Sequence, residues 1–272
     1  MDQFRPTFER LRQAHRKALI PFIMGGDPDL STTKALLRAL ADAGADLIEV
    51  GIPFSDPLAD GPIIQRASAR ALASGTTPQA VLHAVAEVAP RLRVPVAILS
   101  YWNPVLQYQN GRRGADGPET FAKAAVRSGV GGLIVPDLPL EEARAFQPQA
   151  ARAGLCSVLL ATPTSPAERL RQIARLSQGF IYYVSVTGTT GVRRELNPEW
   201  LHGVRQLKRM TTKPICVGFG VSTPAQAHVI SRAADGVIVG SALLQAMEPY
   251  LARRRTMVRA AAAFVRRLRR AV

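Results

Sequence analysis

The sequence has little with which to build a metal centre or a disulfide framework. Its two cysteines, Cys156 and Cys216, lie in apolar strand-like runs with no paired spacing, so they read as small core residues. Four histidines, His15, His83, His202 and His228, are scattered over helical segments and form no ligand motif, so no metal is expected. No apolar run approaches the roughly 18 residues that a membrane span needs. The opening Met1-Asp2-Gln3-Phe4-Arg5 carries no apolar signal core and mixes acids with bases, so a cytoplasmic protein is expected. Acidic residues are scarce, with 20 Asp and Glu against 35 Lys and Arg, a net charge of +15. Aromatic residues are only 6% of the chain, and no stacking pattern accompanies the charge, which argues against a nucleic-acid module. Eight arginines between Arg253 and Arg270 share their segment with Met257, Ala261, Phe264, Val265 and Leu268, the stripe of an amphipathic helix. That pattern reads as a closing helix with a solvated basic face; a contact with a polyanion is the alternative.

What is present is an alternation. Eight short apolar runs, Ala18–Gly25, Leu47–Gly51, Val94–Tyr101, Val130–Asp137, Cys156–Thr162, Phe180–Thr187, Pro214–Gly220 and Gly236–Ser241, are separated by segments of helical pattern such as Thr32–Ala43 and Pro166–Leu176. Cap signals open several of these: Ser31-Thr32, Ser165-Pro166, Asn197-Pro198 and Ser222-Thr223-Pro224. Continuous apolar strands between helices imply a parallel sheet covered on both faces. Eight such units in 272 residues predict an α/β fold, a (β/α)₈ TIM barrel, with residues 1–272 as a single domain. An open doubly wound sheet is the alternative. In a barrel the chemistry belongs on the loops after the strands.

Three constellations fall there. In Leu47-Ile48-Glu49-Val50-Gly51, the two-residue period sends Ile48 and Val50 outward and Glu49 into the barrel near its mouth. A charge buried there requires a partner or a proton. The inward faces of the other runs offer no basic residue, so a proton-shuttling carboxyl competes with a structural ion pair. Next comes the loop from Ile52 to Pro62, rich in proline and aspartate, in which Asp60 either swings over the mouth or, like Asp56, braces a turn. Lastly, glycine-bearing segments follow the last three strands: Thr187–Gly191, Gly218-Phe219-Gly220 and Gly240-Ser241. Free backbone N–H groups at these places suit a phosphate.

In order along the chain, Pro21-Phe22, Gly26-Asp27-Pro28, the run from Leu47 to Pro62, Ile64-Gln65, Asn103-Pro104, Pro136-Asp137-Leu138-Pro139, Thr187-Gly188, Thr190-Gly191, Gly218-Phe219-Gly220 and Gly240-Ser241 resemble the tryptophan synthase alpha subunit family. The resemblance covers nearly the whole chain. It implies a cofactor-free lyase that cleaves indole-3-glycerol phosphate to indole and glyceraldehyde 3-phosphate, with Glu49 as acid/base and Asp60 accepting from the indole N–H. It further implies an indole slot formed by Phe22, Leu99, Ile134, Leu160 and Phe219, with Tyr182 and Thr190 beside the carboxylates. Gly191, Gly220, Gly240 and Ser241 match the phosphate cradle. The implied partner is a pyridoxal-phosphate-dependent beta subunit in an α2β2 tetramer, with Pro53, Asp56 and Asp137 on the contact side.

Three departures stand out. Met24 occupies the place of a frequent threonine that hydrogen-bonds the Asp60 carboxylate, so Asp60 is expected to rely on Thr190 or water. Thr189 replaces an apolar residue. Gln109–Pro118 reads as a polar surface insertion that either is inert, reshapes the partner contact, or marks a stand-alone indole-releasing enzyme. Without the resemblance, another phosphosugar barrel enzyme or a regulatory partner subunit fits the same loops.

Overall fold

A computed structural model of the chain describes residues 2–109, 117–184, 199–218 and 220–272. Eight parallel strands close a barrel in sequence order: β1 (Ala18–Met24), β2 (Ile48–Gly51), β3 (Val96–Leu99), β4 (Val130–Ile134), β5 (Cys156–Ala161), β6 (Ile181–Val184), β7 (Ile215–Gly218) and β8 (Gly236–Val239). β8 pairs with β1 through Ala18 and Gly236, so no strand edge is left open. This is the TIM barrel that the alternation predicts; the open sheet is excluded. Each strand begins within two residues of its apolar run, but several runs outlast their strands. The surplus residues, such as Tyr101, Pro136 and Gly240, belong to the loops at the barrel mouth.

The period-two reading of β2 holds. Ile48 and Val50 pack outward with the helical layer, whereas Leu47 joins the barrel interior with Ile20, Ala97, Val158, Phe180 and Cys216. The helix Arg5–Gln13 closes the opposite end of the barrel. Phe4, fully buried, meets the Phe180 ring edge-on with centroids 5.6 Å apart. Glycine at positions 132 and 179 leaves it that space, because a Cβ at either would run into the Phe4 ring.

Two cap expectations are corrected. The helix Leu30–Asp42 is capped by Asp29, whose carboxylate accepts from the Thr32 N–H at 2.7 Å, and not by Ser31 or Thr32. Ser165 accepts from the Thr162 N–H at 3.0 Å, within its turn, and Pro166 opens Ala167–Leu176 without a side-chain cap. Thr223, within the expected Ser222-Thr223-Pro224 cap signal, forms with Gln226 a full capping box at the start of Pro224–Ser231. Asn197-Pro198 lies outside the described residues.

The C-terminal helix Arg254–Arg269 buries Met257, Ala261, Phe264, Val265 and Leu268, the expected stripe. Its arginines are not all free for an outside partner. Arg254 pairs with Asp29 at 2.8 Å, Arg269 with Asp46 at 2.6 Å, and Arg267 lies over the Phe264 ring. No helix among the described residues is long and apolar enough to cross a membrane.

Candidate active site

The barrel mouth brings together residues that are far apart in the chain. Phe22 on β1, Glu49 on β2, Leu99 on β3, Leu160 on β5, Tyr182 on β6, and Gly220, Gly240 and Ser241 after β7 and β8 line one pocket with Asp60. Strand pairing sets the first contacts: Glu49 lies in register with Phe22 on one side and Ala97 on the other. Gly51 keeps the floor open, since a Cβ there would stand 2.7 Å from the Phe22 ring and 3.1 Å from the Met24 sulfur.

Glu49 is 1% exposed, and neither carboxylate oxygen has a hydrogen-bond partner among the described residues. The structural ion pair that the sequence left open is therefore absent among the described residues. Burial, and then the negative charge of Asp60, raise its pKa to about 8, so the carboxyl keeps its proton at neutral pH. Asp60 is 6% exposed and buries its carboxyl too, which pushes the pKa up to about 6; a hydrogen bond from Tyr101 opposes that push. At neutral pH the pair thus holds one proton, on Glu49, and one charge, on Asp60. Tyr182, 5% exposed, has its ionisation raised by burial and by the two carboxylates, so its hydroxyl stays protonated beside them.

The loop that carries Asp60 is braced from below. Ser68 accepts from the Phe54 N–H and donates to the Phe54 carbonyl, both at 2.9 Å. Gln65 donates to the Asp60 carbonyl at 2.8 Å from the first turn of the helix Pro62–Ala73. Asp60 is therefore not a turn-bracing aspartate, because its carboxyl faces the pocket.

Across the mouth, Gly220 has φ +81°, a left-handed conformation that favours glycine. Gly240 precedes the helix Ser241–Met247, whose first backbone N–H groups have no intrahelical acceptor. Two of the three glycine segments hence meet in the pocket. Thr190, Gly191 and Phe219, with Thr187 to Thr189, lie outside the described residues.

Some expected residues sit elsewhere. Ile134 is fully buried in the barrel interior and does not line the pocket; Pro136, two residues on with the same alternation, does. Ala59 and Ile64, from the matching motifs, line it as well, as do Val221 and Ile238, which carried no signal beyond an apolar residue near a strand end. Pro53 is buried within the chain, whereas Asp56 and Asp137 are exposed. Asp137 uses its carboxylate to accept from the Trp102 N–H at 2.8 Å. Leu58, 83% exposed, and Leu72 flank Asp56 around a shallow hollow on the same rim. Among the described residues no group of three or more His, Cys, Asp or Glu side chains is placed to hold a metal ion.

An unpartnered buried acid, a second carboxyl and two glycine turns share one apolar mouth, and comparison with known proteins gives that arrangement a family. The family model described as tryptophan synthase alpha chain matches residues 8–272. The chain belongs to the tryptophan synthase alpha chain family. It is 45% identical over 272 residues to the tryptophan synthase alpha chain of Geobacter sulfurreducens, covering 100% of this chain and 99% of that one. With the alpha chain of Geotalea daltonii it shares 47% identity over 250 residues, 92% of each. Among solved structures, the alpha subunit from Legionella pneumophila superposes with a TM-score of 0.89 at 37% identity, over 100% of this chain and 98% of that one. A tryptophan synthase structure from Mycobacterium tuberculosis gives 0.86 at 37% identity, over 97% and 98%.

Proposed function

We propose that Glu49 and Asp60 are the acid/base pair with which this tryptophan synthase alpha chain cleaves indole-3-glycerol phosphate to indole and glyceraldehyde 3-phosphate. The observation that carries the assignment is the buried Glu49 carboxyl, protonated at neutral pH and with no hydrogen-bond partner among the described residues. Its proton goes to indole C3, which turns the ring into a leaving group. The bond from C3 to the glycerol chain then breaks as the adjacent hydroxyl becomes an aldehyde, and the proton of that hydroxyl returns to the Glu49 carboxylate. Asp60, ionised, accepts from the indole N–H and stabilises the positive charge that develops on the ring. Phe22, Leu99 and Leu160 supply the apolar walls for indole. Gly220, Gly240 and Ser241 supply backbone N–H groups for the phosphate, and we assign Thr190, Gly191 and Phe219 to the same site on the resemblance alone.

We assign all of residues 1–272 to this one catalytic domain. The family implies a beta subunit as the partner, and the finer reading is an α2β2 tetramer docked on the rim where Asp56, Leu58 and Asp137 are exposed. Two unpaired, buried cysteines fit a reducing, cytoplasmic setting. The deciding experiment is release of indole from indole-3-glycerol phosphate by the purified chain, alone and with a cognate beta subunit. Indole is expected in both cases; its absence in both sinks the reading. Co-elution of the two chains at the mass of a heterotetramer tests the assembly, and separate elution rejects it.

A further inference from the structure

The Asp60 carboxyl is held by a residue that the sequence did not single out. Tyr101 follows β3 and is 2% exposed. Its hydroxyl accepts a hydrogen bond from the Ala59 N–H at 3.0 Å, which occupies an oxygen lone pair and leaves the single O–H proton to be given away. Asp60 is the neighbour of Ala59 in the loop, and a hydrogen bond from Tyr101 is among the causes that favour its charged form. The ring is fixed as well, packed against Phe54 with centroids 5.5 Å apart, and Phe54 is itself pinned at both backbone groups by Ser68. Tyr101 thus touches the Asp60 loop at two points, the Ala59 N–H and the Phe54 ring, neither of which its place in the sequence discloses. Met24, meanwhile, offers no hydroxyl.

We propose that Tyr101 is the positioning residue of the acid/base pair, aiming Asp60 through a hydroxyl that holds the Ala59 N–H and a ring packed on Phe54. The proposal rests on the reading of Asp60 as the indole-binding carboxylate. Tyr101 touches no reacting atom; it acts through Asp60. A hydrogen bond to an ionised carboxylate favours the charged form, so loss of the hydroxyl leaves Asp60 protonated to higher pH. The other titratable groups near the pair are Glu49 and Tyr182 at the mouth and Asp137 beyond Trp102.

The test is Tyr101→Phe, which keeps the ring and its packing on Phe54. Turnover of indole-3-glycerol phosphate is expected to fall about ten- to a hundredfold, the worth of one hydrogen bond to a charged group. The loss is expected in kcat with little change in KM, and the acid limb of the pH profile moves upward. In an Asp60→Asn background the same change is expected to alter the remaining rate by less than about threefold, since the partner is already gone. Equal losses in both backgrounds, or a rate loss with an unmoved acid limb, would overturn the proposal in favour of a merely structural tyrosine. Independently of turnover, the Asp60 carboxyl followed by NMR with ¹³C-labelled aspartate is expected to titrate at higher pH in Tyr101→Phe. An unchanged midpoint refutes the role of Tyr101, whereas a wild-type chain that releases no indole refutes the lyase reading and leaves this titration to judge the tyrosine.

Discussion

The charge on Asp60 presses on Glu49 across the barrel mouth and adds to burial in holding the Glu49 proton up to about pH 8. Asp60 itself loses its proton near pH 6. Two carboxyls from neighbouring segments thus reach neutral pH in different states, and in the proposed mechanism the protonated one gives its proton to carbon while the ionised one steadies the ring.

That separation predicts a window of activity. In the proposed mechanism cleavage needs Asp60 ionised and Glu49 protonated, so kcat/KM should rise through about pH 6 and fall through about pH 8. The substrate phosphate also ionises near the acid limb, its second pKa being about 6. Asp60→Asn separates the two contributions. It should leave only the phosphate on the acid limb, with the alkaline limb shifted downward because one source of repulsion on Glu49 is gone. An alkaline limb in the Asn variant identical to that of the wild type would show that Glu49 does not feel Asp60.

Glu49→Gln should nearly abolish turnover, and it should also change how stability depends on pH. The folded-state pKa of Glu49 lies above its unfolded value, so in the wild type the unfolded chain loses that proton first, near pH 4.5, and the folded chain only near pH 8. Between those values the unfolded state binds fewer protons, and stability falls as pH rises by up to about 1.4 kcal/mol per pH unit. Glutamine removes that slope. Urea denaturation of both proteins from pH 5 to pH 9, on the order of one point per pH unit, should show the variant gaining on the wild type until about pH 8 and then running parallel. Parallel curves throughout would mean that Glu49 has a partner in solution.

The architecture was legible because each strand is buried on both faces and leaves an apolar run that turn residues punctuate. Strand ends were less so: Val94–Tyr101 reads as one stretch, yet the sheet stops at Leu99 and the last residues form the mouth. Glu49 was legible because a carboxyl on the inward face of such a strand is chemically out of place. Tyr101 was not, because an aromatic residue at a strand end is ordinary, and its partner Ala59 is 42 residues away. Ile134 is a difference of the opposite kind. A match by position placed it around the ring, but β4 ends there with its side chain pointing into the core, and Pro136 takes the pocket wall.

At the far end of the barrel, Phe4 is the plug. It is fully buried, lies edge-on to Phe180, and fills the space left by Gly132 and Gly179. Phe4→Ala should cost about 3–5 kcal/mol in urea denaturation, the range for removing a buried aromatic ring. The mouth is formed by other residues, so kcat of the folded variant at low temperature should stay near that of the wild type. A loss below about 1 kcal/mol would indicate that the N-terminal helix does not close the barrel in solution.

The basic C-terminal helix allows a sharper separation between structural and idle charge. Arg269, with 14% of its side chain exposed, donates to Asp46 at 2.6 Å and to the carbonyls of Lys17 and Val272. Asp46, 5% exposed, also accepts from the Leu19 N–H at 3.0 Å, so the pair fastens the last helix to the start of β1. Arg269→Ala strands the Asp46 carboxylate in the interior, and removing one member of a buried pair costs about 3–5 kcal/mol. Arg266, three residues earlier, is exposed, and its change to alanine should stay within about 0.5 kcal/mol. Both variants lose the same formal charge, so a contribution from net repulsion alone would shift them equally. Denaturation curves that moved together would show that Asp46 finds another cation, with Arg16, 4.0 Å from it, the nearest at hand.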